Sequence, residues 1–468
     1  MKKLLGLLLL LITTNMYGEI WLPSILSDNM VLQQQSDVTI WGWTTATSEE
    51  ITVYGTWNNK KITTKAHQGV WTVQLPTPEA GGAYKVIVEG HEKLEISNVL
   101  IGEVWLGSGQ SNMQWTPKQG LENAEEEIKN ANYPEIRFFQ VAQQISASPQ
   151  DQLRGEWVVC KPETMQNFSS VAYFFGRELH RELSVPVGLI NSSWGGTPVE
   201  VWMKKELITE DAELTKAASK LREVAWWPND PGYAYNAMIH PITKFNIVGF
   251  IWYQGESNRV NPDSYYKSFR SMIKSWRAEW GKNLPFYFVQ IAPYKYDDPK
   301  ATDAAHVRDA QLYTMQNVAN TGMVVTNDIG NLDNIHPINK QDVGYRLAQW
   351  ALAKTYGNQE LVYSGPVYKS MEIKKKEIVL SFDFAENGLI KKGKELVEFY
   401  IAGEDKVFYP AKAKINDNNI SVSSKKVEEP KAVRFAFTNG AIPNLYNSAG
   451  LPASAFRTDD WELEKTIK

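Results

Sequence analysis

Ser111 lies in Gly109-Gln110-Ser111-Asn112-Met113, directly behind the apolar run Val99-Leu100-Ile101-Gly102-Glu103-Val104-Trp105-Leu106. A serine hydroxyl is a poor nucleophile at its own pKa, so covalent chemistry requires a base within hydrogen-bond reach and N–H donors where an oxyanion forms. A strand that stops in a glycine-containing turn and opens a helix supplies such donors. Of the six histidines, only His336 has a carboxylate three residues earlier in a loop-like setting, Asp333-Asn334-Ile335-His336-Pro337. That spacing lets one turn carry both groups, the carboxylate fixing the imidazole tautomer and stabilising the imidazolium. Ser111, His336 and Asp333 are therefore the candidate nucleophile, base and orienting acid. Each has a plainer reading when taken alone, as a turn serine or as a structural histidine beside a proline.

Four motifs occur in order: Gly109-Gln110-Ser111-Asn112-Met113, Ser193-Trp194-Gly195-Gly196-Thr197, Trp252-Tyr253-Gln254-Gly255-Glu256-Ser257-Asn258 and Asp333-x-x-His336. In this pattern the chain resembles the sialate O-acetylesterase family, a branch of the SGNH (GDSL-type) hydrolases, from roughly Leu100 to Gly357. The nucleophile elbow G-x-S-x-G is not matched, because Met113 stands where its second glycine belongs. The resemblance implies a three-layer α/β/α fold and removal of O-acetyl groups from sialic acids or other glycans, acetylated xylan among them. It also implies oxyanion donors at the Ser111 N–H, at Gly195 or Gly196, and at a side-chain amide. The superfamily usually supplies an Asn for the last of these, and Gln254 occupies the matching block here. Glu256 is open to two readings, a second carboxylate on His336 or a loop tie. Asn112, Arg308 and His240 lie near the motifs as positioning or packing residues. Asn112, Trp194 and Arg308 are also candidate substrate contacts, with Arg308 or Arg259 a charge-assisted partner for a sialic acid carboxylate.

Positioning these residues requires an ordered set of elements. Strands are expected at 102–106, 136–141, 187–191, 248–253, 286–291 and 323–326, alternating with amphipathic helices. One helix carries Phe269, Met272, Ile273, Trp276 and Trp280 on a single face, and another carries Val343, Leu347, Trp350 and Ala351. Such alternation predicts an α/β fold with a parallel sheet covered on both faces. Ser111, Gly195, Gly196, Gln254, Asp333 and His336 then all fall just beyond C-terminal strand ends, where open parallel sheets bind ligands. Before and after this layer the pattern turns to short alternating strands, such as Val38–Trp43, Val70–Leu75, Ile378–Phe382 and Val433–Phe437. The expected organisation is a signal peptide at 1–18, a β-sandwich domain at 19–97, the catalytic layer at 98–357 and a β-rich region at 358–468.

With 468 residues, several domains are expected, and a net charge of −4 gives no electrostatic footprint for nucleic acid. Lys2 and Lys3 followed by Leu4 to Ile12 have the charged start and short apolar core of a secretory signal, too short to span a bilayer. This reading makes the mature protein secreted or periplasmic, without a membrane span. The single cysteine, Cys160, excludes an intrachain disulfide and reads as a packed strand residue beside Val158 and Val159. There is no His-Glu-x-x-His, paired-cysteine, EF-hand or phosphate-loop motif, so neither metal nor other cofactor is expected. The Trp-rich edge (Trp115, Trp194, Trp202, Trp226, Trp227, Trp252) offers aromatic faces to a sugar, though most tryptophans bury their area in cores. Two other function classes compete with the esterase. A glycoside hydrolase would pair Glu256 with Asp328 or Asp333, but six strands are read rather than the eight of a (β/α)₈ barrel. A carbohydrate-binding protein would have no use for a Ser–His–Asp set.

Overall fold

The computed structural model describes residues 19–462, so the signal-peptide reading of 1–18 lies outside the described residues. At its centre are strands β1 (Lys93–Gly109), β2 (Tyr133–Gln140), β3 (Trp157–Cys160), β4 (Val187–Ser193), β5 (Gly249–Tyr253), β6 (Phe286–Val289) and β7 (Thr321–Val324). They are ordered β3-β2-β4-β1-β5-β6-β7, and every neighbouring pair is parallel except the edge strand β3, which runs antiparallel to β2. All six expected strands are present, and the edge strand ends on Cys160, fully buried as expected, with burial pushing its thiol up to about 12.

The strands are apolar on both faces, and their side chains divide by parity. Phe250, Trp252, Phe286 and Phe288 join one core with Phe269, Met272, Ile273 and Trp276 of α3 (Pro262–Glu279) and Val307 and Ala310 of α4 (Asp303–Asn317). Ile251, Tyr253, Tyr287 and Val289 join another with Val171, Phe175 and Leu179 of α2 (Ser170–Leu183) and Val343, Leu347 and Trp350 of α5 (Gln341–Lys354). The period of two along each strand thus builds the three layers, with each large buried side chain contributing about 1.5–3 kcal/mol.

Strand β1 is longer than the pattern suggests and crosses the expected boundary between residues 97 and 98. Its first part pairs antiparallel with Gly81–Glu89, and its second part is parallel to β4 and β5. The burial pattern explains this continuity, since Lys93 to Ile96 alternate toward one core whereas 99–109 are buried on both sides. A three-stranded sheet of Ile20–Trp21, Asp37–Thr44 and Val70–Pro76 faces the antiparallel extension and shares its core through Ile40, Trp41, Val53 and Val86. Beyond α5, Val367–Lys374, Glu377–Asp383, Lys412–Asn416 and Asn419–Ser423 form one four-stranded sheet. Phe399–Ala402, Tyr409–Pro410, Ala432–Phe435 and Phe456–Arg457 form another. Among the described residues, no helix is long and apolar enough to cross a membrane.

Candidate active site

The sheet order reverses at β1, which is flanked by β4 on one side and β5 on the other. Loops leaving the C-terminal ends of adjacent strands diverge there and leave a crevice. Gly109 closes β1 at φ +137°, and a Cβ on it would lie 2.2 Å from the Tyr253 carbonyl oxygen, so only glycine admits β5 this close. Gln110 ties the turn to the neighbouring loop, its N–H donating to the Tyr253 carbonyl at 3.0 Å and its Oε1 accepting from Gly255 N–H at 3.2 Å. Ser111 opens the short helix α1 (Ser111–Gln114), in which the Met113 and Gln114 N–H groups donate to the Gln110 carbonyl at 2.9 and 3.0 Å. Met113 is fully buried and its carbonyl accepts from Ser169 Oγ at 2.6 Å, which accounts for a side chain where an elbow glycine would stand.

His336 reaches this turn from the loop before α5, and its Nε2 lies 2.9 Å from Ser111 Oγ. The ring stacks on Trp115, with centroids 4.2 Å apart and planes 17° apart, and its backbone N–H is held by Asn334 Oδ1 at 2.9 Å. Burial, assisted by the charge of Lys340, lowers the imidazole to about 4. The ring is therefore neutral at physiological pH, as a base for a serine hydroxyl must be.

Asp333 is not brought onto this pair. Its carboxylate takes Lys295 Nζ at 2.7 Å and its side chain is 82% exposed, so the role of orienting acid has no contact behind it here. The Asp-x-x-His turn is open, and an exposed carboxylate in it meets the nearest surface cation. Beneath the pair lies a different polar group. Asn112 is fully buried, and its Nδ2 donates to Glu256 Oε1 at 2.8 Å and to the Ile335 carbonyl at 3.1 Å, while its Oδ1 accepts from Lys340 Nζ at 2.6 Å. Asn112 is thus not a substrate contact, because all of its amide is used internally. Burial raises the Glu256 carboxyl and lowers Lys340 to about 7, the charge of each partly offsetting the effect on the other.

Gly195 lies against Ser111, a Cβ on it falling 3.3 Å from Ser111 Cβ, and its N–H donates to Gln114 Oε1 at 2.7 Å. Gly196, by contrast, is covered by the Trp227 ring, and its carbonyl accepts from Ser257 Oγ at 2.8 Å. Gln254 departs from its expected role as an oxyanion donor. It is fully buried, with Nε2 donating to Asn258 Oδ1 at 2.8 Å and to the Thr197 carbonyl at 3.2 Å, and Oε1 accepting from Tyr265 at 2.8 Å. Asn258 in turn donates to Glu200 at 2.9 Å, so this motif braces the Gly195 loop against β5. Gln254→Ala is accordingly expected to cost stability, about 1–3 kcal/mol for stranded buried partners, seen as a lower melting temperature. An unchanged melt with a hundredfold fall in kcat, the cost of a lost oxyanion donor, would return Gln254 to the oxyanion site.

The remaining candidates divide by burial. Arg308 is 1% exposed and donates to the Thr438 carbonyl, so it holds the C-terminal region and is not available to a substrate carboxylate. Arg259 stacks on Tyr296 at 3.5 Å and pairs with Asp303, and His240 binds the Gln150 carbonyl at 3.0 Å. Trp202 and Trp252 are core residues. Trp194, Trp226 and Trp227 instead line a hollow of about 620 Å³ beside Gly195 and Gly196, with Trp226 74% exposed. Sequence reasoning missed Lys340, Gln114 and the stacking role of Trp115. Only Gln114 and Trp115 carried a signal, their closeness to Ser111.

Residues 101–353 match the family model described as carbohydrate esterase, sialic acid-specific acetylesterase. The chain is 31% identical over 484 residues to sialate O-acetylesterase of Homo sapiens, covering 92% of this chain and 91% of the relative. Identity to the enzyme of the same name from Pongo abelii is 33% over 388 residues, or 75% of this chain and 74% of that one. Among solved structures, a carbohydrate acetylesterase from Xanthomonas citri superposes with a TM-score of 0.86 at 38% identity, over 95% of this chain and all (100%) of that one.

Proposed function

This chain belongs to the sialic acid-specific acetylesterase family of carbohydrate esterases, and from that premise we propose that Ser111 and His336 carry its reaction on O-acetylated sialic acids. Removal of O-acetyl groups from carbohydrate is the activity of this family, and the chain is a carboxylic ester hydrolase. The observation that carries the assignment of residues is the 2.9 Å contact between Ser111 Oγ and His336 Nε2 at the switch point of the sheet. Ser111 Oγ attacks the acetyl carbonyl carbon as His336 takes its proton, and His336 returns that proton to the departing sugar oxygen. Water then releases acetate from the acetyl-enzyme by the same route. The Ser111 and Gly195 N–H groups receive the oxyanion, the carbonyl oxygen taking the place that Gln114 Oε1 holds at 2.7 Å from the Gly195 nitrogen. Asp333, on Lys295 in the resting arrangement, is left out of this sequence.

An acetyl group is small, so discrimination falls to the alcohol side, where Trp194, Trp226 and Trp227 offer stacking faces. Chemistry is assigned to the 98–357 layer, with the β regions at 19–97 and 358–468 bracing it. Lys2, Lys3 and the apolar residues 4–12 support export across a membrane. The test is acetate release from 9-O-acetyl sialic acid, acetylated xylan oligosaccharides and an aryl acetate. A kcat/KM highest for the sialate is the expected result, whereas preference for xylan would leave the mechanism standing and overturn the sialate assignment.

A further inference from the structure

The lysine beneath the nucleophile calls for an explanation. Lys340 is fully buried, and its partners are Asn112 Oδ1 at 2.6 Å and the face of Tyr253, whose centroid is 5.6 Å from Nζ. A buried ammonium carries an effective desolvation cost of several kcal/mol, and an uncharged donor would satisfy an amide oxygen equally well. Asn112 joins three segments: the turn bearing Ser111, the Glu256 segment after β5, and the loop bearing His336, through the carbonyl of the preceding residue Ile335. Rotating its amide by half a turn would set oxygen against the Glu256 carboxylate and the Ile335 carbonyl, and would set NH₂ against the ammonium. Lys340 therefore selects the one rotamer that ties the histidine loop to the serine turn.

Resting on the Ser111–His336 reading, we propose that Lys340 is a positioning residue for that pair, acting through Asn112 on geometry and through its own charge on the protonation of His336. Asn112 and Lys340 then do the work of orientation for which Asp333 makes no contact. The electrostatic part has a definite sign. His336 faces Ser111 Oγ, the Trp115 ring and the charge of Lys340, with the Asp333–Lys295 pair on the exposed side of its own loop. Lys340 faces Asn112, Glu256 and the Tyr253 ring, and Glu256 also feels Arg259. Burial keeps Tyr253 and Tyr296 un-ionised. Lys340 is depressed only to about 7 and His336 to about 4, so the lysine is charged throughout the range in which the imidazole titrates. Its positive charge disfavours imidazolium and extends the enzyme's working range downward in pH.

Lys340→Met in the full chain, assayed on an aryl acetate across the acid limb, is expected to lower kcat about 30-fold with KM within about twofold, as for a displaced reacting group. The acid limb of kcat/KM is expected to move up but to stay below the ordinary imidazole value of about 6.5, because burial, the larger cause of the lowering, remains. Lys340→Arg keeps the charge and is expected to leave the limb in place while lowering kcat. Should Lys340→Met give no cooperative melt, Asn112→Ser carries the test, with kcat again falling at constant KM. A folded Lys340→Met with an unmoved limb, or either variant with kcat within twofold of wild type, overturns the proposal. Ser111→Ala and His336→Ala run alongside as controls. If they are inactive, such a failure belongs to this proposal alone, and if they are active, the parent reading has failed.

Discussion

Ser111→Ala is expected to lower kcat for acetyl esters by about 10⁴-fold or more, the scale of loss when a hydrolase's nucleophile is removed. The residual rate would come from binding and from the Ser111 and Gly195 N–H donors, which the substitution leaves in place. Stability should change by no more than about 0.5 kcal/mol. The hydroxyl's hydrogen-bond partner is His336, the residue is half-buried in a four-residue helix, and its backbone bonds survive the change. The measurement is single-turnover acetate release beside a thermal melt. Activity within about tenfold of wild type, small against triad-scale losses, would remove Ser111 from the nucleophile's role, and a collapsed melt would assign the loss to folding.

His336→Ala is expected to be as damaging as Ser111→Ala, with the double variant no worse than either, because a nucleophile and its base act as one unit. Steady-state rates of the three variants test this directly, and a double variant whose losses multiply would show the residues acting independently. The orienting carboxylate is tested in the same series. Asp333 is 82% exposed and bound to Lys295, so Asp333→Asn is expected to keep kcat within about threefold, the usual insensitivity of an exposed, paired side chain. A loss nearer the 10⁴-fold seen when a triad acid is neutralised would mean that Asp333 leaves Lys295 for His336 during turnover.

Much of the architecture could be read from periodicity, since burial on both faces gives the continuous apolar runs of a parallel sheet, and one-sided burial gives the helical stripes. Phe269, Met272, Ile273 and Trp276 do line one face of α3, and five of the six expected strands recur within a few residues of their expected limits, whereas β1 starts at Lys93, well before the expected residue 102. The boundary placed at 97/98 falls inside β1 for a particular reason. One strand serves two sheets there, and its alternating first part and fully buried second part look like separate elements when read along the chain.

For the site, residue type and order were enough to bring Ser111 and His336 together, 225 positions apart, because a serine on a strand-to-helix turn and a histidine beyond the last strand meet at the same sheet edge once the strands are parallel. Partner choice among polar side chains was decided only in three dimensions. Gln254, Asp333 and Arg308 have the right chemistry for donor, orienter and cation. The fold nevertheless commits the first to Asn258 and Tyr265, the second to Lys295 and the third to the Thr438 carbonyl. Lys340 left no trace in local spacing, since its partner Asn112 lies 228 residues away and nothing within one turn of the lysine marks it as buried. Periodicity records which face of an element is removed from water, a property each segment carries by itself. A hydrogen bond between distant side chains depends on the apposition of segments, and that exists only after the layers have packed.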